Sequence, residues 1–107
     1  MKDYQLVVLL NPVEGKDEEF NRWYDEKHVP DLLAVDGFVG ATRYRRAELP
    51  QAEGQRNYLA IYDIRTADLG GVMAEMGTRM SSGAIDVSPA INRPSMVMGV
   101  YEKMKSF

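Results

Sequence analysis

The chain contains no cysteine and a single histidine among its 107 residues. The first absence excludes disulfides, thiolate nucleophiles and cysteine zinc sites. The second leaves one His with scattered carboxylates, which is no transition-metal site, so neither metal nor cofactor is expected. A formal net charge of −3 leaves no broad basic field of the kind that attracts nucleic acid. Arg43, Arg45 and Arg46 form the one local basic run and read as a solvated or ion-paired strand end. No apolar h-region follows Met1 and no stretch approaches the roughly 20 residues of a membrane helix, so no membrane partner is expected and a cytoplasmic location is. Gly70-Gly71 lacks both the lysine of a phosphate loop and the spacing of a dinucleotide fingerprint.

What remains is an ordinary globular composition, 45% hydrophobic over a length of about one domain, without repeats, linkers or low-complexity tracts. Residues 1–107 are therefore read as a single domain. Tyr4 to Leu10 predicts a strand that Asn11-Pro12 stops. Asp17, Glu18 and Glu19 suit the positive end of a helix dipole, and Phe20, Trp23, Tyr24 and His28 then share one helical face. Pro30 pushes Val29 away from α geometry, so this helix should end or kink just past His28. Asp31 to Val35 reads as a short helical turn closed by Asp36-Gly37.

Phe38 to Arg46 predicts a second strand, a polar loop with Gly54 runs from Pro50 to Arg56, and Tyr58 to Ile64 predicts a third strand. A second helix, capped by Thr66, carries Leu69, Val72, Met73, Met76 and Met80 as its stripe, with Gly70 and Gly71 allowing close approach to the sheet. Ser81 to Pro94 reads as irregular, and Met96 to Met104 as the last strand. Strand, helix, strand, strand, helix, strand is the split βαβ order of an α+β, ferredoxin-like fold with a four-stranded antiparallel sheet.

Helices on one face of such a sheet should leave polar residues on the other. Here Val7 and Leu9 oppose Leu6, Val8 and Leu10; Leu59 and Ile61 oppose Ala60 and Tyr62; Val97 and Tyr101 oppose Met96 and Met98. Both faces are apolar, so the second is expected to pack on another copy as a homodimer.

Phe20, Trp23, Tyr24 and His28, followed by Pro30, Asp31, Leu32, Gly37 and Phe38, resemble the first-helix signature of the EthD-like branch of the dimeric α+β barrel superfamily. The resemblance implies a ferredoxin-like protomer that pairs its sheet with a second protomer and holds its own pocket between sheet and helices. Related proteins include dehydratases and cyclases of polyketide type, cofactor-free oxygenases of aromatic substrates, lactone isomerases and haem-degrading oxygenases. This chain departs in having Asp36 where a proline is common, and in a second helix without His or Trp. The latter argues against the haem-degrading branch, whose site resembles an Asn, Trp and His set with its His on the later helix.

Among these residues only His28 can both take and give a proton near neutral pH at its ordinary pKa. A histidine at a helix C-terminus is also favourable simply against the dipole, by about 0.3–1 kcal/mol. Tyr24 lies one turn before His28 and Asp31 three residues after it. Asp31 or a backbone carbonyl could hold one ring nitrogen and leave the other for a ligand, the orienting logic of catalytic triads. The candidate catalytic residues are therefore His28, Tyr24 and Asp31.

Trp23 and Phe20 also suit the core. Trp23, Asn11, Met73, Met76, Tyr62 and Met98 are the candidate contacts for a small hydrophobic or aromatic ligand, with Met80, Met96 and Asn92 near them. The methionines offer a flexible, polarizable wall. Strand parity does not decide whether Tyr58, Tyr62 and Tyr101 face pocket or partner.

The expected activity is general acid/base catalysis on a hydrophobic cyclic carbonyl or phenolic compound, as a dehydratase, cyclase or isomerase. A cofactor-free oxygenase of aromatic substrates and a non-catalytic ligand-binding dimer are the alternatives.

Overall fold

A computed structural model describes residues 1–50 and 55–107. The loop expected over 50–56 thus falls partly outside the described residues. The elements are β1 (Lys2–Pro12), α1 (Asp17–Trp23), a π-helical turn (Tyr24–His28), α2 (Val29–Leu33), β2 (Phe38–Arg45), β3 (Tyr58–Thr66), α3 (Leu69–Ser82) and β4 (Ile91–Glu102). The antiparallel sheet has the order β2-β3-β1-β4, the ferredoxin-like α+β architecture.

Alternation along β1 decides which face is covered. Leu6, Val8 and Leu10 are buried beneath the helices, where β3 places Ala60, Tyr62 and Ile64 beside them. Phe20, Tyr24 and Leu32 close this core from the first helical segment, and Val72 and Met76 close it from α3. The opposite face carries rows running Tyr44–Leu59–Leu9–Val97 and Thr42–Ile61–Val7–Gly99 across all four strands. Those rows are apolar and only partly buried or exposed, as sequence parity predicts.

Several boundaries differ for physical reasons. β4 begins at Ile91 rather than Met96 and runs through Pro94, which an edge strand tolerates because a missing N–H on its outer side breaks no ladder. A register shift between Leu9 and Asn11 accommodates this start. Asp68, not Thr66, caps α3 by accepting from Gly71 N at 3.0 Å, while Thr66 Oγ1 accepts from Asp68 N at 2.9 Å. Gly70 and Gly71 do not pack on the sheet; they are exposed, and Gly71 leaves room for the Asp68 carboxylate.

Val29 keeps α geometry at φ −60° and ψ −48°, contrary to the break expected before Pro30. The helix instead widens, and the Val29 N–H donates to Tyr24 O, five residues back. Proline lacks the N–H of a normal ladder and crowds the carbonyl four residues earlier. The wider turn takes up this mismatch without ending the helix, so His28 stays pointed at the core.

Candidate functional site

The π-helical turn and the helix-covered side of β1, β3 and β4 enclose a narrow cavity of about 60 Å³. Its wall is mostly aliphatic and methionine, including Met76, Met80, Met96 and Met98, with Tyr24, His28 and Tyr62 as the polar groups. Met96 and Met98 line the cavity yet remain 37% and 54% exposed, because β4 is the sheet edge. The cavity therefore meets solvent through methionine side chains, which have three rotatable bonds each.

Tyr24 is the centre of the polar cluster. Tyr62 donates from its hydroxyl to the Tyr24 hydroxyl oxygen at 3.3 Å. The His28 ring meets Tyr24 edge-on at 4.9 Å and stacks on Trp23 at 4.5 Å. The Arg43 guanidinium lies over the Tyr24 ring at 4.4 Å. Burial pushes the pKa of both tyrosines upward and so keeps their hydroxyls protonated.

His28 is only 8% exposed. Burial lowers its pKa to about 4, the nearby Asp31 charge works against this, and Arg43 adds to it. The imidazole is thus neutral at pH 7. Among the described residues, the buried side-chain polar atoms without a hydrogen-bond partner are Trp23 Nε1, His28 Nδ1 and Arg43 Nε. Each belongs to a residue packed against the Tyr24 ring. Buried polar atoms are normally paired, so these three stand out from the rest of the core.

The structure brings together some expected site residues and separates others. His28, Tyr24, Tyr62, Met76 and Met98 line the one cavity. Trp23 backs His28 from outside the cavity wall. Met73 packs on the core without reaching the cavity. Asn11 is elsewhere: its Oδ1 accepts from Asn57 N at 2.7 Å, tying β1 to the chain before β3. Asp31 does not hold the imidazole, because its Oδ2 accepts from Lys27 at 3.0 Å, one helical turn back. Tyr58 belongs to the helix-covered face and Tyr101 to the outer one.

Arg43 is ion-paired with Asp25 at 2.7 Å, as the strand-end reading allowed, but it is not solvated: its side chain is 18% exposed, against Phe20, Tyr24 and Tyr58. Strand parity held the signal, since Arg43 shares its face with Ala41 and pairs with Ala60 beneath the helices.

A larger hollow of about 660 Å³ opens elsewhere, lined by Asp3, Gln5, Asp63, Arg65 and Tyr101 among others. Within it Arg65 lies 3.4 Å from Asp3 and Gln5 donates to Asp63 at 3.1 Å.

The fold is that of the dimeric α+β barrel proteins. An EthD family protein from Bacillus halodurans is 17% identical, with a TM-score of 0.68 over 95% of this chain and 99% of that one. SnoaB, a cofactor-independent oxygenase from Streptomyces nogalater, is 15% identical, with a TM-score of 0.66 over 99% and 97%. MhuD, a heme-degrader from Mycobacterium tuberculosis solved with two hemes in its active site, is 11% identical, with a TM-score of 0.68 over 97% and 98%. No protein-family model and no curated protein matches the chain.

The residues of this protomer do not fit haem. The single histidine is on the π-helical turn, and α3 offers none. No group of three or more acidic or imidazole side chains stands together as metal ligands among the described residues, and no helix there is long and apolar enough to cross a membrane.

Proposed function

We propose that the protein is a small-molecule enzyme in which His28 acts as general base on a flat, hydrophobic cyclic carbonyl or phenolic compound, with Tyr24 as hydrogen-bond donor to the substrate oxygen. The observation that carries this reading is a neutral, buried imidazole with an unpartnered Nδ1 on a residue that lines a methionine-walled cavity.

The protein interior disfavours an isolated imidazolium, so His28 is a poor base while the cavity is otherwise apolar. An enolate or phenolate formed beside it reverses that penalty, because each new charge stabilises the other in a low dielectric. Proton transfer is then favourable only when a substrate oxygen can take the negative charge. Tyr62 donates to Tyr24, which leaves the Tyr24 proton for that oxygen. Dehydration, cyclisation and isomerisation all start from this step. A ligand larger than the present cavity enters by turning Met80, Met96 and Met98 aside.

A cofactor-free oxygenase is the second reading, favoured by the apolar wall and by the likeness to SnoaB. The same base would remove a phenolic proton and the substrate anion would reduce dioxygen. Incubation of the protein with cyclic enones, lactones and phenols, followed by product analysis and an oxygen electrode, separates the two. The expected result is turnover that falls about 100-fold or more in His28→Gln. Equal turnover by wild type and variant would overturn the assignment of His28 as base.

A further inference from the structure

Arg43 is an expensive residue to place where it is. A guanidinium packed among Phe20, Tyr24 and Tyr58, with its Nε buried and unpartnered, is disfavoured against an aliphatic side chain of similar length. Its geometry indicates what it does instead. Nη1 donates to Asp25 Oδ1 at 2.7 Å and Nη2 to Asn21 Oδ1 at 2.8 Å. The two acceptors flank the Trp23–Tyr24 junction, where α1 gives way to the π-helical turn. One planar fork on β2 therefore holds both sides of the point at which the helix widens. Lysine, with a single charged nitrogen, cannot reproduce that grip. Ala60, opposite Arg43 in the strand register, leaves space for the arginine stem.

We propose that Arg43 is a positioning residue, pinning the π-helical turn to β2 so that Tyr24 and His28 remain on the cavity. The inference rests on the roles given to those two residues above. Arg43 lies behind the Tyr24 ring and is absent from the cavity wall, so it acts through Tyr24 and His28 rather than on a ligand.

The titratable and charged groups around His28 can be named element by element. Its own segment supplies Tyr24 and Asp31, the latter held by Lys27. β2 supplies Arg43, itself paired with Asp25, and β3 supplies Tyr62. At the cavity, α3 presents Met76 and Met80 and β4 presents Ile91, Met96 and Met98. Arg43 is thus the one cation that bears on the imidazole among the causes of its lowered pKa.

The test needs no substrate, because a chain with one histidine gives one imidazole signal in a nuclear magnetic resonance titration. Wild type should titrate with a midpoint near pH 4. Arg43→Met should raise the midpoint by about one pH unit, since it removes the cation and lets water reach a loosened turn. Arg43→Lys should fail to restore the wild-type midpoint although it restores the charge. Asn21→Ala combined with Asp25→Ala leaves Arg43 in place but removes its anchors, and should move the midpoint in the same direction; it decides the matter if Arg43→Met does not fold. Folded variants with lowered Tm but an unmoved midpoint would make Arg43 merely structural and overturn the proposal. Loss of the His28 assignment is read separately, from turnover by His28→Gln.

Discussion

The imidazole of His28 lies 4.5 Å from the indole of Trp23, with their planes 26° apart. The two residues are five apart, which on a regular α-helix would put them at the two edges of the expected face, 140° apart at 100° per residue. The π-helical turn between them brings the rings into register. The stack covers one side of the imidazole with an apolar ring while the cavity takes the other residues around it. That enclosure accounts for the low proton affinity of His28.

A first prediction concerns pH. The folded-state pKa of about 4 lies below the ordinary 6.5, so the unfolded chain binds the proton more readily. Stability linked to His28 is therefore complete above pH 6.5 and is lost as pH falls toward 4. A shift of this size corresponds to about 3 kcal/mol. Urea unfolding of wild type and His28→Gln at pH 7, 5.5 and 4 measures it: the advantage of wild type over the variant should shrink across that range. Parallel pH profiles would mean that His28 is not buried as a neutral group.

The Tyr24–Tyr62 hydroxyl pair predicts a non-additive mutant cycle. Tyr62→Phe removes the donor and leaves a buried hydroxyl oxygen on Tyr24, which should cost about 1–3 kcal/mol. Removing both hydroxyls leaves no orphan, so Tyr24→Phe with Tyr62→Phe should be more stable than the sum of the single variants implies. Additive unfolding free energies would show that the 3.3 Å contact carries no coupling.

Much of this architecture was legible from period alone. Leu6, Val8 and Leu10 against Val7 and Leu9 gave the two faces of β1, and Phe20, Tyr24 and His28 gave the buried side of the first helix. The site was less legible where local competition decides. Asp31 stands three residues from His28 but also four from Lys27, and an exposed ammonium reaches a carboxylate more readily than a buried neutral ring does. The π-helical turn has no residue code of its own; only the missing N–H of Pro30 hinted that the ladder must change. The charge of Arg43 is compatible with solvent or an ion pair at a strand end, and only its shared parity with Ala41 sets it beneath the helices.

The outer sheet face predicts the oligomeric state. Leu9, Leu59, Val7 and Ile61 form a continuous apolar surface flanked by Tyr44 and Val97, which are 49% and 47% exposed. A second copy would bury such a face against itself about a two-fold axis. Light scattering should give a dimer for wild type and a monomer for Ile61→Lys, whose charge would be desolvated without a partner. A wild type that remains monomeric at high concentration would require a different cover for this face.

Gly37 offers a prediction about how the helical layer is held to the sheet. It sits at φ +103°, and its carbonyl accepts from Arg65 N at 2.8 Å, at the entry to β2. A methyl group there would come within 2.7 Å of Val72 Cγ2 on α3, a β-branched side chain that cannot swing away within a helix. Gly37→Ala therefore combines a backbone penalty of about 1–3 kcal/mol with overpacking of about 1–3 kcal/mol. The two parts are separable. In a Val72→Ala background the clash disappears but the positive φ remains, so Gly37→Ala should cost less there than in wild type without becoming neutral. Equal costs in the two backgrounds, measured by chemical unfolding, would rule out Val72 as the neighbour that demands glycine.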